Sequence, residues 1–392
     1  MSLERFHPQT IDMKALADYE SCARQEAVFA VEDSLSRTGF LLMSGLYGDG
    51  ENQVSQPELA ELRRRSEQFF ALEDSIKQEY ILIGSGGENG YTPFATEAAV
   101  DPHTGALGIP EPKELYQLRR GEALTSGVRH IPHAPGFTEL LFHVQNKLQA
   151  QAHLLYEAIA ETLNLPQDYF QRLHRLDQGH HENSVIRALH YPAETDPRVR
   201  EIYQQFRKAG KQPIRAGAHK DINLLTILLL GQSSRGLQIK PQGSEKFIDV
   251  VLGENDDAAG NTGELLETMT GGLYQATLHQ VIAYDGTEKS RMSFPCFNHP
   301  TNLPDQGLPL LVHGDMPQKF YEEAFIYVYG EEMLSLLSDE ERTNLGCGPT
   351  QILYKDALLN RLVDIGNFPT GDPVTRKPWR NEKPGKAFVL AR

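Results

Sequence analysis

The most constraining feature of the sequence is a series of short apolar runs between Ser184 and Pro300, separated by Gly, Asn and Asp. Runs of about four to eight apolar, β-branched or aromatic residues bounded by turn residues are typical of β-strands. The pattern predicts strands near Val185 to Tyr191, Leu224 to Leu230, Leu237 to Lys240, Leu265 to Met269, Ala276 to Tyr284 and Arg291 to Phe297. So many short antiparallel strands favour a double-stranded β-helix, the jelly-roll or cupin-like barrel.

Helical patterns flank this region on both sides. Apolar residues recur at helical spacing in four segments before it, namely Glu26 to Leu35, 56 to 79, Gly136 to Asn164 and Pro166 to Arg175. After it, Gln318 to Arg342 is acidic and helical in pattern. The sequence therefore predicts an α+β fold in one integrated unit: a mixed region with supporting N-terminal helices (1–183) packed on the barrel (184–300), followed by a helical C-terminal extension (301–392).

Composition excludes several classes of protein. The formal net charge of −15 disfavours a general binder of nucleic acid or anionic membranes, which needs clustered Lys and Arg. Cys22, Cys296 and Cys347 are too widely separated for a zinc motif or a disulfide framework. The N-terminus lacks an apolar signal region, and no run approaches the ~18 apolar residues of a membrane span. We expect a cytoplasmic protein with a small-molecule substrate; a monomer is plausible, and the oligomeric state stays open.

Three pairs of histidine and acid spaced two residues apart occur in the chain, His180/Glu182, His219/Asp221 and His313/Asp315. With 14 His and 53 acidic residues among 392, roughly two such pairs are expected by chance. Only His219/Asp221 runs directly into an apolar strand, in which alternate side chains share a face. With a distant second imidazole, this pair would form the two-histidine-one-carboxylate triad that holds non-haem Fe(II).

The next histidine, His279, lies in a predicted strand and is either a hydrogen-bonded core histidine or that third ligand. A turn predicted at Asp285 to Lys289 would fold the chain back so that Arg291 and Ser293 share one strand face beside it. A guanidinium and a hydroxyl on one face can hold a carboxylate. The apolar residues around them favour an inward strand over a surface salt bridge.

These motifs resemble those of the iron- and 2-oxoglutarate-dependent oxygenases of the isopenicillin N synthase-like superfamily. The likeness covers most of the chain and rests on Gly39-Phe40, Gly90-Tyr91, Lys113-Glu114, Tyr191-Pro192, His219-x-Asp221, Gly263-Glu264, Gly271-Gly272, His279 and Arg291-x-Ser293.

The resemblance implies the cofactors, the ligands and the chemistry. Fe(II) would be bound by His219, Asp221 and His279. The distal carboxylate of the co-substrate 2-oxoglutarate would be bound by Arg291, Ser293 and Tyr191. With O2, such an enzyme hydroxylates, desaturates or cyclises a small organic molecule and releases succinate and CO2. Because Asp221 is present, the halogenase variant of this chemistry, which lacks the carboxylate, is disfavoured.

Three positions depart from the common pattern of the family. Leu189, Asn223 and Glu264 stand where many members have asparagine, glycine and aspartate, so substrate identity does not transfer from the plant and antibiotic-pathway members. Two alternatives stay open. One is an oxidase of the same fold that needs no oxoacid and uses Arg291 and Ser293 to hold a substrate carboxylate, as isopenicillin N synthase does. The other is a non-catalytic protein that binds a metal or an oxoacid.

A locally basic stretch precedes the His219/Asp221 pair in this acidic chain. We hypothesise that it borders the pocket and favours an acidic or amide-bearing substrate, the alternative being a solvated helix face. Its members are Arg198, Arg200, Arg207, Lys208, Lys211 and Arg215.

Overall fold

A computed structural model describes residues 7–82, 89–100, 107–163, 165–174, 183–230, 235–254, 256–283 and 289–301, together with the two-residue strands Leu308–Pro309 and Gln351–Ile352. The pairs His180/Glu182 and His313/Asp315, most of the predicted turn at 285–289, and the predicted helix from Gln318 to Arg342 with nearly all of the C-terminal extension lie outside the described residues. Within the described ranges, no helix combines the length and the apolar character that crossing a lipid bilayer requires.

The helices of the described residues are α1 (Met13–Ala17), α2 (Cys22–Thr38), α3 (Gln56–Phe70), α4 (Asp74–Gln78), α5 (Arg120–Ser126), α6 (Phe137–Thr162), α7 (Pro197–Lys208) and α8 (Glu264–Met269). Several of these helices have an N-terminal cap that is formed by a side chain. Asp12, Ser21 and Asp196 accept hydrogen bonds from first-turn N–H groups of α1, α2 and α7, and Ser55 and Glu58 form a reciprocal capping box at α3. The long helix α6 buries its apolar stripe in the main core, as its spacing predicts.

The strands that build the core are β1 (Thr10–Asp12), β2 (Phe40–Ser44), β3 (Gly90–Thr92), β4 (Ala98–Val100), β5 (Leu107–Pro110), β6 (Glu114–Arg119), β7 (Val185–Tyr191), β8 (Ile214–His219), β9 (Leu225–Leu230), β10 (Leu237–Lys240), β11 (Ile248–Asp249), β12 (Ala258–Thr262), β13 (Leu278–Ile282) and β14 (Arg291–Asn298). Strands β4 and β5 pair with each other, and the others form two principal sheets. The larger sheet has the order β1-β2-β12-β9-β14-β7-β6-β3, and the smaller has the order β11-β10-β13-β8. Both are antiparallel apart from the β1–β2 pair. Strands from before and after residue 183 therefore share one sheet.

The larger sheet is covered on both faces, and strand β2 shows how. Leu41 and Met43 belong to the core shared with the helices, whereas Phe40 and Leu42 belong to a second cluster shared with the smaller sheet. This division follows from the alternation of side chains along a strand. The second cluster also contains Ala216, Leu237, Ile239, Val250, Ala259 and Val281. One face of the larger sheet thus packs on helices, and the other packs on the smaller sheet to form the barrel.

Three of the predicted elements differ from the structure. The segment Leu265 to Met269 is helix α8 and not a strand, because a short apolar run does not distinguish the two. The described part of the segment Pro166 to Arg175, which ends at His174, contains a 3₁₀ turn at Gln171–His174 and no α-helix, since so short a segment does not sustain a helix by itself. The single helix predicted for 56–79 is two helices, α3 and α4.

Candidate metal centre

His219, Asp221 and His279 converge at one end of the smaller sheet. His219 is the last residue of β8, and it lies directly opposite His279 of β13 across the antiparallel pair, with ring centroids 4.3 Å apart. The Nε2 atoms of His219 and His279 lie 3.6 Å and 3.7 Å from Oδ1 of Asp221. The three ligand atoms are all within 4.8 Å of one another, so they could hold a single metal ion.

The histidine rings are held in the tautomer that a metal requires. Nδ1 of His219 lies 2.7 Å from the carbonyl oxygen of Gly217, and Nδ1 of His279 lies 2.9 Å from that of Thr277. A carbonyl oxygen only accepts hydrogen bonds, so Nδ1 is the protonated nitrogen of each neutral ring. Burial, with the neighbouring His219, lowers the pKa of His279 to about 4, although Asp221 opposes this shift. The lone pair of each Nε2 therefore faces the carboxylate, as metal-binding histidines require.

The carboxylate of Asp221 is fixed through one of its two oxygens. Oδ2 accepts hydrogen bonds from the Thr226 hydroxyl (2.6 Å) and from the Asn261 amide (2.8 Å). The Asn223 amide in turn donates to the Thr226 oxygen (2.9 Å), which orients the hydroxyl proton toward Asp221. Burial alone would raise the pKa of Asp221, but His279, His219 and the two hydrogen bonds hold it below its ordinary value. Asp221 is therefore an oriented anion whose Oδ1 points at both imidazoles.

Asp221 lies in a turn and not on the strand face predicted for it. Strand β8 ends at His219, and β9 does not begin until Leu225. The start of α8 fixes this turn: the Glu264 N–H donates to the carbonyl of Asp221 at 2.7 Å. A Cβ added to Gly263 would lie 2.0 Å from the Asn223 carbonyl oxygen, so only glycine permits this approach. The predicted shared strand face was wrong, but the turn still brings the carboxylate to the imidazoles.

The end of helix α2 and the start of strand β2 contact the chain around His279. Thr277, whose carbonyl holds the His279 ring, donates its hydroxyl proton to the carbonyl of Thr38 at 2.7 Å. Gly39 ends helix α2 with φ of 65°, and a Cβ there would lie 2.0 Å from the Gln275 carbonyl oxygen. The Phe40 ring then packs edge-on against His279, with centroids 5.3 Å apart. The motif Gly39-Phe40 thus positions one of the candidate ligands.

The donor set and its exposure suit a metal that reacts with small molecules. Two imidazole nitrogens and one carboxylate oxygen, arranged on one side of the site, are the donors that non-haem Fe(II) takes in oxygenases. Asp221 and His279 are buried, whereas the side chain of His219 is 46% exposed. The site is therefore buried at Asp221 and His279 and accessible to solvent beside His219.

Arg291, Ser293 and Tyr191 line the inner face of the larger sheet. Arg291 is the cross-strand partner of Tyr191, and its Cζ lies 5.5 Å from the centre of that ring. All three side chains are buried. Met292 and Phe294 belong to the helix-side core, so Arg291 and Ser293 face the smaller sheet. Burial lowers the pKa of Arg291, yet a guanidinium stays charged.

Strand β14 does not lie beside the His279 strand as the sequence predicts. It pairs with β7 and β9 in the larger sheet, whereas β13 pairs with β8 and β10 in the smaller one. The guanidinium and the imidazole therefore come from opposite sheets of the barrel.

A buried cluster of charges next to Tyr191 was missed by the sequence reasoning. Lys113 Nζ lies 2.5 Å from Glu111 and 2.8 Å from Glu97. Burial alone would lower the pKa of Lys113, but Glu111 and Glu97, with Tyr191, raise it above its ordinary value. The other oxygen of Glu111 accepts the N–H of Gly217 at 2.5 Å. This cluster joins the strand that carries His219 to the end of the larger sheet that carries Tyr191.

The basic stretch before His219 divides into two groups. Arg198 and Arg207 are exposed on α7, where they pair with Asp196 and Glu194, and the same exposure is shared by Arg200, Lys208 and Lys211. Arg215 alone is buried, with 6% of its surface exposed. The exposed five fit a solvated face better than a pocket border.

Some residues of the site carry no recognisable sequence signal. His219, Asp221 and His279 come together as the motifs predict. Asn261, however, holds Asp221 from 40 positions downstream, and no spacing rule connects the two. Thr226 resembles any strand residue until its partner is known.

A family model covers the part of the chain that contains these residues. Residues 182–300 match the model described as the 2OG-Fe(II) oxygenase superfamily. The match includes every one of the six candidate ligands.

Two curated relatives extend this similarity. The chain is 25% identical over 284 residues to a probable iron/ascorbate oxidoreductase of Dictyostelium discoideum, which covers 69% of this chain and 74% of that protein. It is 30% identical over 181 residues to a 1-aminocyclopropane-1-carboxylate oxidase of Dictyostelium mucoroides, which covers 42% of this chain and 47% of that protein. The chain thus spans about half the length of this second relative.

A solved structure shows the same fold. The full-length Neurospora crassa T7H, in complex with alpha-KG, superimposes with a TM-score of 0.64 at 20% identity, over 90% of this chain and 95% of that one. The predicted α+β fold with a double-stranded β-helix is therefore confirmed.

Proposed function

Because residues 182–300 match the family model of the 2OG-Fe(II) oxygenase superfamily, we propose that this chain is a dioxygenase that oxidises a small organic molecule and releases succinate and CO2. Its cofactors are Fe(II) and 2-oxoglutarate, with O2 as the oxidant. The observation that carries the proposal is the carbonyl-tethered imidazole pair whose Nε2 atoms both face Oδ1 of Asp221.

We assign His219, Asp221 and His279 as the iron ligands. With only these three protein donors, a bound iron would have room for an oxoacid and for O2. Iron with 2-oxoglutarate supplies the oxidising chemistry, in which the oxoacid is decarboxylated and one oxygen atom becomes available to the substrate. The protein orients the donors through Thr226 and Asn261, and it keeps the His279 side of the site buried.

We assign Arg291, Ser293 and Tyr191 to the distal carboxylate of 2-oxoglutarate. The buried guanidinium and the nearby phenol ring supply a charged donor in a site of low dielectric, where a carboxylate is the natural partner. These residues lie in the sheet opposite the histidines. An oxoacid bound between the sheets would therefore have its distal carboxylate at Arg291 and its other end at the metal ligands.

The primary substrate would approach from the side of His219, since that ligand is half-exposed while the other two are buried. Hydroxylation, desaturation and cyclisation all begin at such a centre.

A second candidate is an oxidase that needs no oxoacid. It is favoured by the 30% identity to a protein named 1-aminocyclopropane-1-carboxylate oxidase. In this case Arg291 would hold a carboxylate of the substrate itself. Release of succinate separates the two candidates.

The test uses the purified full-length chain, loaded with Fe(II) under nitrogen and supplied with ascorbate. Consumption of 2-oxoglutarate and release of succinate are followed after O2 is admitted, first alone and then with a panel of small molecules. We expect a slow basal release that particular compounds accelerate. Asp221→Ala should show none, whereas His143→Ala, which changes an exposed histidine, should match the wild type. Oxygen uptake without succinate would support the oxidase instead.

A further inference from the structure

Arg215 is a buried cation for which the described part of the chain provides no counter-ion. Only 6% of the residue is exposed, and its Nε atom makes no hydrogen bond with the described residues. This deficit is unusual, because a desolvated guanidinium normally lies against a carboxylate. The exposed arginines of the same basic stretch, Arg198 and Arg207, each have one.

The contacts around Arg215 indicate that its side chain lies near that of Arg291. Gly217, two residues along β8, donates its N–H to Glu111, which pairs with Lys113 beside Tyr191. Tyr191 is in turn the cross-strand partner of Arg291. Arg215 and Arg291 are close enough for each to oppose the other's positive charge, and this repulsion contributes, after burial, to the lowered pKa of Arg291.

The phenol group of Tyr203 lies next to Arg215. Burial raises the pKa of Tyr203, and the adjacent Arg215 guanidinium opposes that rise. Tyr203 belongs to the buried face of α7, and Ile214, the neighbour of Arg215, packs against the same cluster, so this helix covers the start of strand β8. Lys113 cannot neutralise the excess of positive charge, because Glu111 and Glu97 already compensate it.

We propose that Arg215 is a second guanidinium for the distal carboxylate of 2-oxoglutarate, which it binds together with Arg291. The inference rests on the proposed function. A carboxylate between two buried cations removes their repulsion and supplies the missing counter-ion of Arg215. The ligand-free protein then carries an electrostatic penalty that binding of the dianion relieves.

The test compares two ligands that differ only at the distal end. Binding of 2-oxoglutarate and of 2-oxopentanoate, which lacks the distal carboxylate, is measured by calorimetry on the Mn(II)-loaded full-length protein without turnover. In the wild type, 2-oxoglutarate should bind much more tightly. Arg215→Gln should weaken 2-oxoglutarate binding by about tenfold or more, the range for a charged hydrogen bond, and should leave 2-oxopentanoate within about twofold. Arg215→Lys should keep most of the preference.

Two further variants complete the comparison. Arg291→Gln should show the same selective loss, and Arg207→Gln, which removes an exposed arginine, should behave as the wild type. The thermal midpoint of ligand-free Arg215→Gln should rise by about 2 °C or more, because the repulsion is gone. A purely structural arginine would lower it.

Three results would overturn the proposal. In the first, 2-oxoglutarate affinity is unchanged in Arg215→Gln. Arg215 would then bind another anion, such as a carboxylate of the substrate. In the second, both ligands weaken equally. In the third, Arg215→Gln does not fold and Arg215→Lys shows no preference for the dianion. A wild type that itself shows no such preference would instead refute 2-oxoglutarate as the co-substrate.

Discussion

His219 and His279 are direct partners across two antiparallel strands, although the pairing is irregular next to them. From His219 back to Ala216, strand β8 takes three residues, while β13 takes two from His279 to Val281. This extra residue is a β-bulge, which turns a side chain to a face that a regular strand would not give it. Both Ala216 and His219 therefore face inward, and the imidazole comes beside the turn that carries Asp221.

Loss of a ligand should remove both metal and turnover. Asp221→Ala or His219→Ala leaves two donors, so we expect no iron-dependent release of succinate and less than one iron per chain by metal analysis. Unchanged circular dichroism would show that the fold persists. Full iron content and normal turnover in Asp221→Ala would contradict the assignment of the carboxylate.

The hydroxyl of Thr226 should matter through Asp221. Thr226→Val keeps the shape of the side chain but removes the 2.6 Å hydrogen bond to Oδ2. Replacing such a supporting group costs about 10- to 100-fold in metal affinity. Competition with a coloured chelator measures this, and Thr125→Val, which removes a hydroxyl bonded only within helix α5, is the matched control. Equal affinities in the two variants would mean that Asn261 alone holds the carboxylate.

The sequence is most informative where chemistry depends on local spacing. The candidate ligands His219, Asp221 and His279 come together as the motifs predict, and the apolar run around Arg291 is a strand as predicted. Other features depend on tertiary contacts. Leu265 to Met269 reads as a strand but is a helix. The N–H groups just before it, those of Gly263 and Glu264, bond to the carbonyls of Leu224 and Asp221, and this contact lies far away in sequence.

The same limit applies to the orientation of side chains and to the pairing of sheets. Asn261 reaches Asp221 only because β12 pairs with β9. The Arg291 strand lies in the opposite sheet from His279, and no turn signal indicates this crossing. The counter-ion deficit of Arg215 likewise becomes visible only once burial is known, since its five basic neighbours look the same in sequence.

Arg291 should govern the requirement for the oxoacid more than the chemical step. Arg291→Ala removes a buried charged donor, so the KM for 2-oxoglutarate should rise by about 10- to 100-fold while kcat changes less. Initial rates over a range of 2-oxoglutarate concentrations give both constants, and Arg207→Ala serves as the exposed control. A fall in kcat with KM unaltered would place Arg291 outside the oxoacid site.

A buried network on the helix side of the larger sheet should control stability. Glu114 accepts hydrogen bonds from Lys77 (2.7 Å) and from the Tyr91 hydroxyl (2.6 Å), and its other oxygen lies 2.9 Å from Nδ1 of His190. Lys77 and Glu114 are each 3% exposed. Removing one partner of a buried ion pair leaves an uncompensated charge, so Lys77→Met should cost about 3 to 5 kcal/mol of unfolding free energy.

The double variant Lys77→Met with Glu114→Gln tests the cause of that loss. Because the second change removes the stranded charge, it should recover part of the stability in urea titration. A double variant that is less stable than Lys77→Met would show that packing of the lysine stem, and not its charge, holds the site.

Two buried histidines should make the fold sensitive to mild acid. Burial, with His153 nearby, lowers the pKa of His174 from 6.5 to about 3, and burial, with Arg119 nearby, does the same for His299. Below pH 6.5 the unfolded chain binds a proton at each position, while the folded protein binds none until about pH 3. Stability is therefore complete above the first value and falls between the two, by on the order of 1 kcal/mol per pH unit for each residue.

The measurement is the urea midpoint between about pH 7.5 and 5.5, a range chosen so that carboxylates with ordinary pKa values stay ionised. His174→Gln removes one of the two titrating groups, so the decline with acid should become shallower, whatever the substitution does to absolute stability. His133→Gln changes an exposed histidine and should leave the slope as it is. An unaltered slope in His174→Gln would show that His174 is protonated in the folded state, and the acid sensitivity would then belong to other groups.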